Sequence, residues 1–309
     1  MDVLIPILAA AVRSGTPVVY AVMGEILAER SGVMNLGLEG LMLLGAFAGF
    51  SATQSTGSPE LGLAAAFAAG TLATFIHAFL CVTLGGNQTV SGLALAMFGG
   101  GMSAMLGRGH IGETIKGLMP FDFPLLCRIP LIGPVFFRHD VMVYISFLLV
   151  FFLHFFIFRT RPGMNLRAVG ENPRAADAMG MSVSRARYLY TLVGGGLAGL
   201  AGGYLSVVYS QMWVEGMTAG RGWIAVALVI FGIWRPVRAM FGCYLFGGID
   251  ALQLRMQAAG TSIPAPILLM LPYLMTLGVL VFISIRSKSG ILLGAPASLG
   301  TPFRREERE

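Results

Sequence analysis

Nine apolar stretches, most of them close to twenty residues long, punctuate this chain and constrain its fold more than any other feature. They fall at roughly 4–27, 33–52, 61–84, 88–107, 140–158, 189–209, 222–234, 239–254 and 264–285. Crossing the ~30 Å hydrocarbon core of a bilayer as a helix takes about 20 mostly apolar residues. Lipid offers no partner for unpaired backbone groups, so a chain built from such stretches folds as helices. The pattern predicts an all-α, polytopic transmembrane helix bundle of about 8–9 spans. The stretches at 222–234 and 239–254 are short and meet at Arg235-Pro236, and the last is cut by Pro264, Pro266 and Pro272. Half-helices or a re-entrant hairpin are expected there. Composition agrees: 12% of residues are charged and 56% hydrophobic, where a water-soluble domain carries about 25% charged residues. An ordinary soluble enzyme is excluded.

The net charge of +6 does not mark a nucleic-acid binder, because the basic residues cluster between the apolar stretches. The connection at 160–188, with the residue before it, holds Arg159, Arg161, Arg167, Arg174, Arg185 and Arg187, and the tail at 286–309 holds Arg286, Lys288, Arg304, Arg305 and Arg308. By the positive-inside rule both are cytoplasmic, and the four stretches between them give the even number of crossings this requires. The connection at 108–139 is then the outer loop, and the N-terminus lies outside if 4–27 crosses fully. Arg185 and Arg187 are expected to anchor their span at the lipid headgroups, and Glu25, Glu29 and Arg30 to form an interfacial cluster. A single transmembrane domain over 1–309, with membrane lipid as its solvent, is the expected organisation. The start of the chain lacks a short cleavable apolar core behind a basic region, so Met1–Leu27 is read as part of the mature protein.

Several chemistries find no residues here. There is no G-x-x-x-x-G-K-[ST] loop for ATP phosphates and no G-x-S-x-G nucleophile turn. Cys81, Cys127 and Cys243 are scattered, and His77, His110, His139 and His154 stand apart from one another. No catalytic, metal or cofactor site is expected in this chain.

The most informative stretch runs Gly163-Met-Asn-Leu-Arg-Ala-Val-Gly-Glu-Asn-Pro-Arg-Ala-Ala-Asp-Ala-Met-Gly-Met181. Asn172 suits an N-cap, Pro173 the first helical position and Gly180 a left-handed stop. A helix at 173–179 is therefore bracketed at both ends, yet it is too short to be stable alone in water. It needs a surface, its own bundle or a partner, for which Ala175 and Ala176 allow close approach and Glu171, Arg174 and Asp177 offer polar contacts. A plain connector whose arginines only set topology is the alternative.

This stretch resembles the coupling segment of the permease subunits of ATP-binding-cassette (ABC) importers of the ribose, branched-chain amino acid and nucleoside group. Three further blocks are similar to signatures of the nucleoside-uptake permeases in that group: Gly24 to Gly45, Asn87 to Leu95 and Gly220 to Pro236. Ile233-Trp-Arg-Pro departs from the pattern, which has a more polar residue at 233 and often Asn before the proline. The resemblance implies a permease subunit in the bacterial inner (plasma) membrane, with its C-terminus cytoplasmic. It would take up nucleosides or related ribose-type solutes and work as a dimer with the same or a related permease. ABC ATPase subunits carrying the ATP and Mg would dock on the 173–179 helix, and an extracytoplasmic solute-binding protein would deliver the solute. A secondary transporter or channel driven by an ion gradient is the competing class, which would couple through Glu39 and Asp250.

Ionisable groups inside lipid are costly and ask for a role. Asn35 and Glu39, four apart, would share a helix face that suits ribose hydroxyls; Glu39 could instead cap a neighbouring broken helix. Asn87, Gln88 and Ser91 open the 88–107 stretch as a cap or as a cytoplasmic gate. Trp223 either stacks on a base or sugar ring or anchors a helix end at the interface. Asp250 and Gln253 would line an outer entrance.

Overall fold

Runs of Leu, Ala, Gly and Phe that must satisfy their own backbone groups fold, among the described residues, into twelve α-helices. The computed structural model describes residues 4–122, 129, 132–261, 263–286 and 294–305. In order the helices are α1 (Leu4–Arg30), α2 (Leu38–Thr56), α3 (Pro59–Ala78), α4 (Gln88–Gly107), α5 (Ile132–Phe136) and α6 (Val141–Arg159). There follow α7 (Arg161–Glu171), α8 (Pro173–Ala178), α9 (Val183–Gly203), α10 (Arg221–Phe231), α11 (Pro236–Ala258) and α12 (Ala265–Arg286). Phe79–Thr83 and Tyr204–Tyr209 extend α3 and α9 as π-helical turns. Phe121–Asp122 pairs antiparallel with Arg138–His139 across the 108–139 connection. Lys288, Arg308 and Cys127, singled out from the sequence, lie outside the described residues.

Each of the nine apolar stretches coincides with one helix. Among the described residues five segments, Ile5–Arg30, Pro59–Thr83, Gln88–His110, Val141–Arg159 and Val183–Tyr209, are long and apolar enough to cross a membrane. Leu72, Met97 and Leu148 are 72%, 80% and 71% exposed on the outside of the bundle. Side chains of that kind need lipid or another protein against them.

The centre is α9, packed against α1, α2 and α3. Its glycines let backbones touch. A Cβ on Gly202 would lie 1.7 Å from the Met42 carbonyl oxygen of α2, and one on Gly70 of α3 would lie 2.3 Å from the Gly195 carbonyl oxygen. Without a hydrophobic driving force between helices in lipid, such small-residue contacts hold a bundle together.

Two helices differ from the sequence expectation in a way that shapes the site. α2 begins at Leu38 rather than at 33. The Asn35 side chain accepts a hydrogen bond from the Gly37 N–H at 2.9 Å, a local bond that competes with helix formation. α10 spans only 11 residues, about 16 Å at 1.5 Å per residue and half a bilayer core. It ends before 234 because Ile233 and Trp234 take left-handed backbone angles, φ 53° and 50°. Residues 31–37 and 210–220 are consequently irregular chain, with Asn35, Trp213 and Thr218 buried.

Candidate functional site

Irregular backbone at membrane depth survives only where protein groups satisfy it, and that demand explains the polar residues here. The starts of α2 and α10 meet inside the bundle. Gly40 packs against the Leu95 and Ala96 backbone of α4, seven to eight residues past the start of α4, or ~10 Å along it. Glu39 stands in the first turn of α2, and its carboxylate reaches across to the start of α10. It accepts hydrogen bonds from the Thr218 hydroxyl at 2.5 Å and from the Gly220 and Gly222 N–H groups at 2.8 and 2.7 Å. Gly222 is essential to this approach, since a Cβ there would lie 2.4 Å from the Glu39 nitrogen. One carboxylate thus sits at two helix N-termini, where partial positive charge favours it.

Beside it, the Arg221 Nη2 lies 3.0 Å from Asp250 Oδ2, an ion pair shielded from solvent. Asp250 Oδ2 also accepts from the Ser14 hydroxyl at 2.5 Å, and Gln253 Nε2 donates to Oδ1 at 3.3 Å. Asp250 and Gln253 are buried, so they line a network inside the bundle rather than an outer entrance. Tyr273 of α12 donates its hydroxyl proton to the Ala219 carbonyl, which holds the left-handed pair Ala219 and Gly220 (φ 47° and 78°). α1, α2, α10, α11 and α12 converge here.

A second set of side chains holds the linker 31–37. Gln88 Oε1 accepts from the Met34 N–H at 2.7 Å, and His77 Nε2 faces the Met34 carbonyl at 3.1 Å. A carbonyl can only accept, so His77 carries its proton on Nε2 and its Nδ1 accepts the Ser91 hydroxyl at 3.0 Å. Asn87 caps α4, accepting from the Val90 N–H at 3.1 Å. A cavity of about 260 Å³ lined by His77, Leu80, Ser91, Leu95 and Phe98 opens next to these groups. Asn35 is buried, precedes α2 and turns its side chain to Gly37, so it shares no helix face with Glu39. Trp223, in the first turn of α10, is 41% exposed on the outside of the chain.

Glu25 and Glu29 depart most from the sequence reading. Both are buried, because α1 continues past them inside the bundle and each serves an irregular segment. Glu25 accepts from the Asn35 N–H at 2.9 Å, and Glu29 accepts from the Trp234 indole N–H. Arg30 donates to the Trp234 carbonyl at 3.1 Å.

At the basic end of the bundle, the connection at 160–188 is mostly helical. Thr160 caps α7, a helix that sequence reading passed over although Thr160 and Pro162 mark its start. Asn172 separates α7 from α8 and accepts from the Ala175 N–H at 2.9 Å. Gly180 stops the next turn at φ 82°. Ala176 is buried in a small cluster with Val169 and Val183, against which Met181 and Phe303 pack, while Arg174 and Ala175 are exposed. Met179 is 82% exposed. Asp177 pairs with Arg305 at 3.0 Å. Glu171 Oε2 accepts from the Ala297 N–H at 3.3 Å. Arg187 does not reach headgroups; it is buried and spends its guanidinium on the Ser31 and Thr301 carbonyls and the Ser298 hydroxyl.

Known proteins resemble the chain over nearly its whole length. The model of the family described as branched-chain amino acid transport system / permease component matches residues 7–282. A protein of Haloferax volcanii named as a glucose ABC transporter permease is 42% identical, over 97% of this chain and 98% of its own length. The guanosine ABC transporter permease protein NupQ of Bacillus subtilis is 33% identical over 100% and 99%. The nucleoside ABC transporter permease protein NupC of Lactococcus lactis is 34% identical over 86% and 88%. No solved structure matches.

Proposed function

We propose, since the chain belongs to the branched-chain amino acid transport system / permease component family, that it is the membrane pathway of an ATP-driven importer for nucleosides or related ribose-type solutes. The observation that carries the proposal is α8. It is a capped two-turn helix, seated through Ala176 and presenting Arg174, Ala175 and Met179 outward at the basic end of the bundle. A helix this short is stable only on a support, and its outward face is free of lipid if the basic end is cytoplasmic, as the arginines require. On this reading 1–309 is one permease domain. ABC ATPase subunits, which hold the ATP and Mg, dock on Glu171–Asp177 and Gly180, and the chain itself hydrolyses nothing. The 108–139 connection lies outside and receives solute from an extracytoplasmic binding protein. A second permease, the same or a related chain, completes the pore in the plasma membrane.

The site near α2 and α10 then divides into framework and path. Glu39, Asn35, Asn87, Gln88 and Ser91 hold discontinuous helices in place, and the exposed Trp223 offers an aromatic face for a base or sugar ring. Nucleosides are favoured by the guanosine and nucleoside permeases among the relatives. The relative named for glucose keeps sugars as the second reading, since a hexose presents comparable hydroxyls. Purification of the chain from its own cells tests the docking. An ATPase subunit is expected to copurify and to be lost from an Arg174→Glu, Met179→Asp variant. Retention of the ATPase by that variant would refute α8 as the dock.

A further inference from the structure

The described part of the C-terminal tail, 294–305, lies along the basic end and touches the 31–37 linker, the ends of α7 and α10, and α8. Ser298 fastens it to the end of α7, its N–H at 2.9 Å and its hydroxyl at 2.6 Å both donating to the Gly170 carbonyl. The Gly300 N–H donates to the Gly32 carbonyl at 3.3 Å, within the turn that leads into the 31–37 linker. Gly294, at φ 95°, sits so near Ile233 that a Cβ would lie 2.6 Å from the Ile233 side chain. Ile233 belongs to the left-handed turn that ends α10. Arg187 binds the tail at Thr301 and Ser298 and the linker at Ser31 with one buried guanidinium. At its far end Arg305 pairs with Asp177 of α8, and Phe303 packs against the small cluster that contains Ala176.

From these contacts we propose that 294–305 is a transmission strap. The ATPase subunit docks on α8 and the strap together, and the strap carries its movement to the linker before α2 and the turn after α10. This rests on the reading of α8 as the ATPase dock. The receiving surface is the groove of about 280 Å³ between them, lined among others by Glu171, Pro173, Arg174, Ser298, Pro302 and Arg304. Arg174 and Arg304 against Glu171 give the groove more basic than acidic side chains, and an acidic edge of the ATPase subunit fits it. Tightening the strap shifts residues 31–32 and 233 together. Because Glu39 joins the starts of α2 and α10, the two helices then move as one body.

The test is made on the chain reconstituted with its ATPase and solute-binding partners, reading solute imported per ATP hydrolysed. A chain ending at Leu293 is expected to keep its bundle, by size exclusion and thermal unfolding, and to lose about tenfold in that ratio. Asp177→Arg and Arg305→Asp singly are expected to lower the ratio several-fold, and the double exchange to restore it. If the truncated chain does not fold, the exchange series decides. Single exchanges that match the wild type, or a double exchange no better than the worse single, overturn the strap. Failure of the wild-type chain to bind an ATPase at all would instead sink the docking reading beneath it.

Discussion

Replacing Glu39 separates a framework carboxylate from one that meets solute. The wild-type side chain, half-buried, satisfies three donors, the Thr218 hydroxyl and the Gly220 and Gly222 N–H groups. In Glu39→Gln the remaining oxygen keeps two of them, but the amide turns an N–H toward the third and the charge at two helix N-termini is gone. A lost bond to a charged group is worth about 1.5–3 kcal/mol, and the charge at a partly buried helix end up to about 2 kcal/mol. The expected loss is about 2–4 kcal/mol. Glu39→Ala takes the carboxylate from all three donors, at about 1–3 kcal/mol for each one kept from water; because Glu39 and Gly220 are half-buried, water replaces part of it and the loss should be roughly 3–6 kcal/mol, much of an ordinary protein's ~5–15 kcal/mol. The assay is thermal unfolding in detergent, followed through the fluorescence of the buried Trp213 and Trp234, beside uptake kinetics. Midpoints should fall by several degrees for Gln and further for Ala, with uptake falling in parallel. A Glu39→Gln protein with a wild-type midpoint and only a raised KM would refute the framework role and hand Glu39 to the solute.

Two other perturbations have definite outcomes. Gly202→Ala pushes a Cβ into the Met42 backbone, where neither α2 nor α9 can yield cheaply, and overpacking costs about 1–3 kcal/mol or more. Gly101→Ala in α4 meets nothing within 4 Å and should instead stabilise by about 0.5–1 kcal/mol, so the two midpoints move in opposite directions. Gln54 and then His110 hold the exposed Glu113 carboxyl below its usual range. Its contribution to anchoring the 108–139 connection on α2 is thus present above the ordinary carboxylate pKa and fades as the pH falls through the lowered value. Protease protection of that connection should weaken on acidification in the wild type and be pH-independent in Glu113→Gln.

Much of the fold was legible because the rules that make it are local. Asn87 and the apolar run behind it placed α4 at 88–107, where the structure has it, and Asn172, Pro173 and Gly180 bracketed α8 to within a residue. α7 was overlooked because its arginines read as a topology signal while Thr160 and Pro162, its start signals, went unused. The start of α2 was read too early because periodicity does not register the Asn35–Gly37 bond. What no local reading supplies is pairing across the chain. The bonds from Glu39 to 218–222 span about 180 residues, and the burial of Arg187 depends on a tail more than a hundred residues away. Charged residues read as interfacial, Glu25, Glu29 and Arg187, proved buried because irregular backbone in lipid needs side-chain partners. That need arises only once the helix breaks are known.

Solute import by sealed proteoliposomes containing this chain, its partner permease and the ATPase subunits, with the binding protein outside, tests the central claim most directly. A radiolabelled nucleoside should accumulate only when ATP and Mg are enclosed with the ATPase, whatever ion gradient is imposed. Accumulation by this chain alone, without ATP and in step with an ion gradient, would contradict it.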